Sequence, residues 1–218
     1  IALALPKTAL WDMVRRMGFG AATGSQLPGE QTGLLNPPSG WVPIDQASIS
    51  FGYGISVTPL QLARAYAALA NGGHLRPLTL IPTETEVPGT PVLAPQTARE
   101  LRTMLELAVG GRGTGAAAQV ANYRVAGKTG TVRKLVVGGY LDERYVGWFA
   151  GFAPASDPRL VMVVMIDEPA RGGYFGGVTA APVFARVMAG ALRLLDIAAD
   201  APRGTPRPAP GAVHGGDA

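Results

Sequence analysis

Three strand-like segments in quick succession, residues 124–137, 145–153 and 160–167, constrain the fold of this chain more than any other feature. Each is rich in β-branched and aromatic residues, and they are separated by turn material around Gly138-Gly139 and Ser156-Asp157-Pro158. A parallel pair needs a crossover of about a dozen residues or more, so connections this short favour an antiparallel meander. Residues 180–196 then place Val183, Val187, Ala191 and Leu194 at helical spacing, a stripe expected to pack back on the sheet.

The preceding part reads as helices. In residues 8–17, Leu10, Val14 and Met17 share one face, and Gly18 and Gly20 end the run. Residues 23–50, rich in Gly, Pro, Ser and Thr, read as a long irregular connection. Thr58 then caps a helix with Pro59 at its first position and Gln61 completing a capping box. Leu62, Tyr66 and Leu69 are its expected buried stripe, and Asn71-Gly72-Gly73 its stop. Residues 75–81 are expected as a short edge strand, since Pro77 cannot donate to a ladder. Pro95 opens another helix with Leu101, Leu105 and Ala108 on one face, and residues 114–120 hold a further short turn. Helices, then a strand meander, then a covering helix make an α+β domain. The expected division is a mainly helical part over 1–123, a meander plus helix over 124–197, and a disordered tail over 198–218.

Composition excludes several function classes. The net charge of +4 is modest and no Lys/Arg block occurs, which gives nucleic-acid binding little support. The absence of cysteine excludes disulfides and thiolate metal sites. Two histidines, His74 and His214, are too few for a His-rich metal centre, and His74 beside a glycine turn reads as solvated. No metal and no cofactor is expected. No apolar run approaches the roughly 18 residues of a membrane span.

The chemistry concentrates at Lys128-Thr129-Gly130-Thr131, at the start of the first strand. Residues two apart on a strand share a face, so the hydroxyls of Thr129 and Thr131 project together. Gly130 lets a ligand backbone come close, and Lys128 brings a compact ammonium. The set suits a carboxylate beside an attackable carbonyl. In penicillin-recognising serine acyl-transfer enzymes, K-T-G works with an S-x-x-K nucleophile and an S-x-N element. None of the serines (25, 39, 48, 50, 56 and 156) stands in either motif. The chain is therefore expected to be the C-terminal part of an acyl-transfer domain, with its nucleophile upstream and no acylation of these 218 residues alone.

Other signals are weaker. Gly111-Arg112-Gly113-Thr114-Gly115-Ala116 matches a dinucleotide fingerprint but follows a helix instead of a strand, and reads as a flexible glycine loop. Asp167-Glu168 reads as a strand-end pair before Pro169, because adjacent strand residues point to opposite faces and do not flank one bond. Tyr174 and Phe175, on a glycine-rich loop that begins at Arg171, either swing over a cleft or tuck into the core.

Several segments together resemble class B penicillin-binding proteins, in particular the cell-division peptidoglycan D,D-transpeptidases of Gram-negative bacteria. They are 51–63 (FGYGISVTPLQLA), 126–131 (AGKTGT), 149–154 (FAGFAP), 167–169 (DEP), 174–177 (YFGG) and 181–184 (APVF), in order and at family-like spacing. The similarity runs from Ile1 to about Ile197. It implies a five-stranded antiparallel sheet beside a helical subdomain, the active site between them, incomplete in this fragment. It also implies that Lys128 hydrogen-bonds the S-x-N serine and that the Thr129 and Thr131 hydroxyls hold the substrate or β-lactam carboxylate. The Thr131 N–H would be half of the oxyanion hole, with Arg133, Tyr174 and Phe175 in the substrate site. The implied ligands are peptidoglycan stem peptides and β-lactams, and the implied partners division-machinery membrane proteins and the N-terminal part of the same protein. The implied location is the periplasmic face of the inner membrane, with an upstream anchor. A β-lactam sensor or a β-lactamase on the same scaffold is the alternative.

Overall fold

Thr58 and Gln61 show how closely local chemistry sets the helices. In the computed structural model, Thr58 Oγ1 accepts from the Gln61 N–H at 3.1 Å and Gln61 Oε1 accepts from the Thr58 N–H at 2.9 Å. This reciprocal cap starts helix α3 (Pro59–Ala70) where the sequence places it. The structure describes residues 1–85, 87–136, 139–170 and 172–201, and of 135, 136 and 139–143 the backbone alone. Two units, Ile1–Arg99 and Glu100 onward, divide inside one helix.

The first unit holds α1 (Lys7–Arg16), α2 (Pro43–Ile49), α3, the antiparallel pair β1 (His74–Leu75) and β2 (Thr90–Pro91), and the start of α4 (Pro95–Val109). The buried residues of α3 are Gln61, Ala65 and Ala68, while Leu62, Tyr66 and Leu69 are only half-buried. Gln61 causes the shift. Its amide donates to the Ala21 and Thr32 carbonyls at 2.8 Å each, so a polar side chain is drawn inside with its donors satisfied. The irregular reading of 23–50 misses α2, where Pro43 takes the first helical position and the Asp45 carboxylate accepts from the Val42 N–H at 2.9 Å. The strand expected over 75–81 is only the two residues His74–Leu75, since Pro77 interrupts its extension.

In the second unit, β3 (Ala126–Val136), β4 (Gly139–Ala153) and β5 (Leu160–Asp167) form an antiparallel sheet in the order β3-β4-β5. This is the expected meander, with three strands among the described residues. Helix α5 (Gly176–Leu194) packs on one face. Phe149 of β4 and Phe184 of α5 meet at a ring-centroid distance of 4.7 Å, surrounded by Val109, Ala118, Ala153, Met188 and Leu192. The buried face of α5 therefore runs through Ala180, Ala181, Phe184, Met188 and Leu192; Val187 is 53% and Leu194 85% exposed. The expected stripe is on the wrong side. Small Ala180 and Ala181 admit the helix close to the sheet, while the larger Phe184 and Met188 fill the space beyond. By length and composition α5 is apolar enough to cross a membrane, contrary to the expectation that no such run exists, yet its face through Ala180, Phe184, Met188 and Leu192 lies in this core.

The boundary expected at 123/124 differs from the observed division because Val109, Ala118 and Val120 belong to the sheet's core. The expected tail also begins too early. Asp200 accepts from the Arg124 N–H at 2.7 Å and from the Ser156 N–H and hydroxyl at 3.0 and 2.8 Å, and the Tyr123 hydroxyl donates to the Ile197 carbonyl. These bonds fasten 197–201 to the entrance of β3 and the β4–β5 turn; residues 202–218 lie outside the described residues.

Candidate active site

The register of β3 on β4 builds the site. Lys128 pairs with Ala150, Thr129 with Phe149, Gly130 with Trp148 and Thr131 with Gly147. Directly paired residues project on the same side, so Thr129 and Thr131 share the face that carries Phe149 and α5. Among the described strands β3 pairs only with β4, which leaves its other edge without a strand. Thr129, Gly130 and Thr131 are half-buried and Lys128 is exposed.

Missing side chains let the first turn of α5 settle against this edge. A Cβ at Gly176 would collide with the carbonyl oxygens of Trp148 and Gly130, and one at Gly147 with the Thr179 hydroxyl. That close approach brings the Gly176 N–H to 3.1 Å from Thr131 Oγ1, which accepts it. With a lone pair so occupied, the Thr131 hydroxyl retains a proton to donate. On the opposite face, a Cβ at Gly130 would make only ordinary van der Waals contact, 3.4 Å from the Trp148 Cβ.

Lys128 reaches back along the edge. Its Nζ donates to the Thr129 carbonyl and Oγ1 at 3.2 Å each, and to Thr114 Oγ1 at 3.4 Å. The Thr114 and Thr129 hydroxyls lie 3.0 Å apart. Thr114 is the residue sequence reasoning misses. It comes from the glycine segment read as slack, which is instead held by Gly113 N–H to Gly110 O (2.7 Å) and Gly115 N–H to Ala108 O (2.9 Å). The available signal was a lone hydroxyl residue in a run of glycines after a helix stop.

Tyr174 stacks on Tyr145 of β4 with centroids 3.9 Å apart at 13°, Phe175 lies 4.4 Å from Tyr174, and the Arg133 guanidinium sits 5.9 Å from the Tyr145 ring. Tyr174 is 38% and Phe175 56% exposed, so this pair lines the surface at the start of α5 and does not enter the core. Arg133 meets this aromatic group through Tyr145. Asp167 and Glu168 serve the strand ends instead, as expected. Lys134 Nζ lies 3.0 Å from the Asp167 carboxylate and 2.7 Å from that of Glu168. The Lys134 hydrogen bond, aided by Arg144, holds the Glu168 carboxyl below its usual range. Among the described residues no acidic or histidine cluster could hold a metal ion.

Compared with known protein families, residues 1–189 match the penicillin binding protein transpeptidase domain. The chain belongs to this family. It is 43% identical over 201 residues to the peptidoglycan D,D-transpeptidase FtsI of Escherichia coli (strain K12), covering 92% of this chain and 34% of that protein. It is 42% identical over 215 residues to the probable peptidoglycan D,D-transpeptidase PbpC of Pseudomonas aeruginosa, covering 99% and 38%. The apo transpeptidase domain of Burkholderia pseudomallei penicillin-binding protein 3 superposes with a TM-score of 0.86 at 43% identity, covering 92% of this chain and 61% of that one. The expected α+β penicillin-binding fold therefore holds. The chain spans about a third of the length of these curated transpeptidase relatives.

Proposed function

We propose that the whole protein is a serine D,D-transpeptidase that cross-links peptidoglycan stem peptides during septal wall synthesis and is acylated by β-lactams. One observation carries the reading: Thr129 and Thr131 stand together on an edge that no described strand pairs, with the Lys128 ammonium bonded to Thr129. Identity of 43% to a peptidoglycan D,D-transpeptidase supports it. A serine outside these 218 residues attacks the carbonyl of the penultimate D-alanine. The bond to the terminal D-alanine breaks, and its amine leaves with a proton. An acceptor amine then attacks the acyl ester, forms the cross-link and returns the serine hydroxyl. Thr129 and Thr131 donate to the terminal carboxylate, which fixes the carbonyl relative to the serine. The Thr131 N–H gives half of the oxyanion hole, and Lys128 holds the hydroxyl network and the S-x-N serine. Gly130, Arg133, Tyr174 and Phe175 line the stem-peptide site. The protein acts at the periplasmic face of the inner membrane, anchored outside this chain, beside membrane proteins of the division machinery.

The test treats full-length protein with fluorescent penicillin, and separately with a stem peptide ending in D-alanyl-D-alanine plus an acceptor amine. Stoichiometric covalent label and acceptor-dependent release of D-alanine are expected. Label without D-alanine release would indicate a sensor, rapid loss of label a β-lactamase, and no label would refute all three.

A further inference from the structure

We propose that Thr114 is a positioning residue for this site: its hydroxyl sets the direction in which Thr129 offers a proton to the substrate's acid group. The inference rests on the acyl-transfer reading above. An ammonium carries three donors and no acceptor. Lys128 has three oxygens within 3.4 Å, the Thr129 carbonyl, Thr129 Oγ1 and Thr114 Oγ1. Both hydroxyl oxygens thus accept from Lys128, and at 3.0 Å from each other they share one further proton. A hydroxyl has a single proton, so the pair has one left to point outward. When Thr114 donates to Thr129, that outward proton belongs to Thr129, on the same face as the Thr131 hydroxyl.

Thr114 is exposed, but its position is not an accident of the surface. Its loop is pinned on both sides by backbone hydrogen bonds, and a Cβ at Gly113 would collide with the Ala108 carbonyl. A Cβ at Gly177 would likewise strike the Thr114 carbonyl, so α5 starts directly against this residue. Two glycines in different elements therefore fix the hydroxyl that meets Thr129. Removing it leaves the Thr129 proton without a set direction and Lys128 with one acceptor fewer, and an electrostatic site loses most when its donors are no longer preorganised.

The test compares full-length Thr114→Val and Thr114→Ser with the unmodified protein, measuring second-order acylation by a penicillin and by its methyl ester. For Thr114→Val, acylation by the acid should fall about tenfold, the size of one hydrogen bond to a charged group. The ester rate and the thermal midpoint should stay close to those of the unmodified protein, and Thr114→Ser should restore the acid rate. An acid rate unchanged in Thr114→Val, or acid and ester rates falling alike, would overturn the proposal while leaving the acyl-transfer reading intact. Failure of the unmodified protein to react with the acid would overturn both.

Discussion

Full-length protein carrying Thr129→Val and Thr131→Val together is expected to react with penicillin at least about 100-fold more slowly than the unmodified protein. A hydrogen bond to a charged group is worth about 1.5–3 kcal/mol, and every 1.36 kcal/mol is tenfold in rate. Two such bonds are removed here from neighbouring, half-buried positions. Their effects share one ligand group, so they need not add. Valine keeps the shape and the strand preference of threonine, which makes the substitution a test of the hydroxyls and not of β3. Its structural cost falls on the Gly176 N–H, which loses its acceptor on Thr131, and on Lys128 and Thr114, which lose their partner at Thr129 Oγ1. The check is the second-order rate of fluorescent-penicillin labelling, with the thermal midpoint measured alongside. A rate within threefold of the unmodified protein would show that the acid group is held elsewhere.

Phe149→Ala is expected to have the largest effect on stability, about 3–5 kcal/mol. Phe149 is fully buried, packs on Phe184, and lies directly opposite Thr129 across the β3–β4 pairing. Its loss opens a cavity under the strand that carries the site. Hydrogen exchange of the β4 amides in the full-length protein reads this local stability, and should accelerate by roughly two to four orders of magnitude. Val187→Ala is the matched control. On the stripe expected from helical spacing it would be a core change, but Val187 is 53% exposed and the expected effect is within about 0.5 kcal/mol. A large effect at Val187 with little at Phe149 would contradict the packing of α5 described above.

The contrast between these two positions shows what the sequence makes legible. The β3–β4–β5 meander follows from strand composition and short turns, both local properties; β3 and β5 lie within two residues of the expected bounds, while β4 begins six residues earlier, at Gly139. The α3 capping box is local too, because Thr58 and Gln61 satisfy each other. The buried side of α5 is not local. Spacing allows several faces, and the choice is made by the position of Phe149 on another element. Gln61 misleads for the same reason, since its burial depends on carbonyls 40 and 29 residues away. The alignment of Lys128, Thr129 and Thr131 is readable because one strand orders all three. Thr114 is not, because it meets them only when a glycine loop folds onto the start of α5. The aromatic pair at 174 and 175 falls between these cases: its exposure follows from stacking on Tyr145, a partner the sequence does not indicate.

The most direct measurement is a crystal structure of the full-length protein acylated by a penicillin. The ligand carboxylate should lie within hydrogen-bonding distance of both Thr129 and Thr131 hydroxyls, with its acyl carbonyl oxygen at the Thr131 N–H. A carboxylate bound away from β3, with both hydroxyls unchanged in their partners, would contradict the assignment of this edge as the acid-binding half of the site.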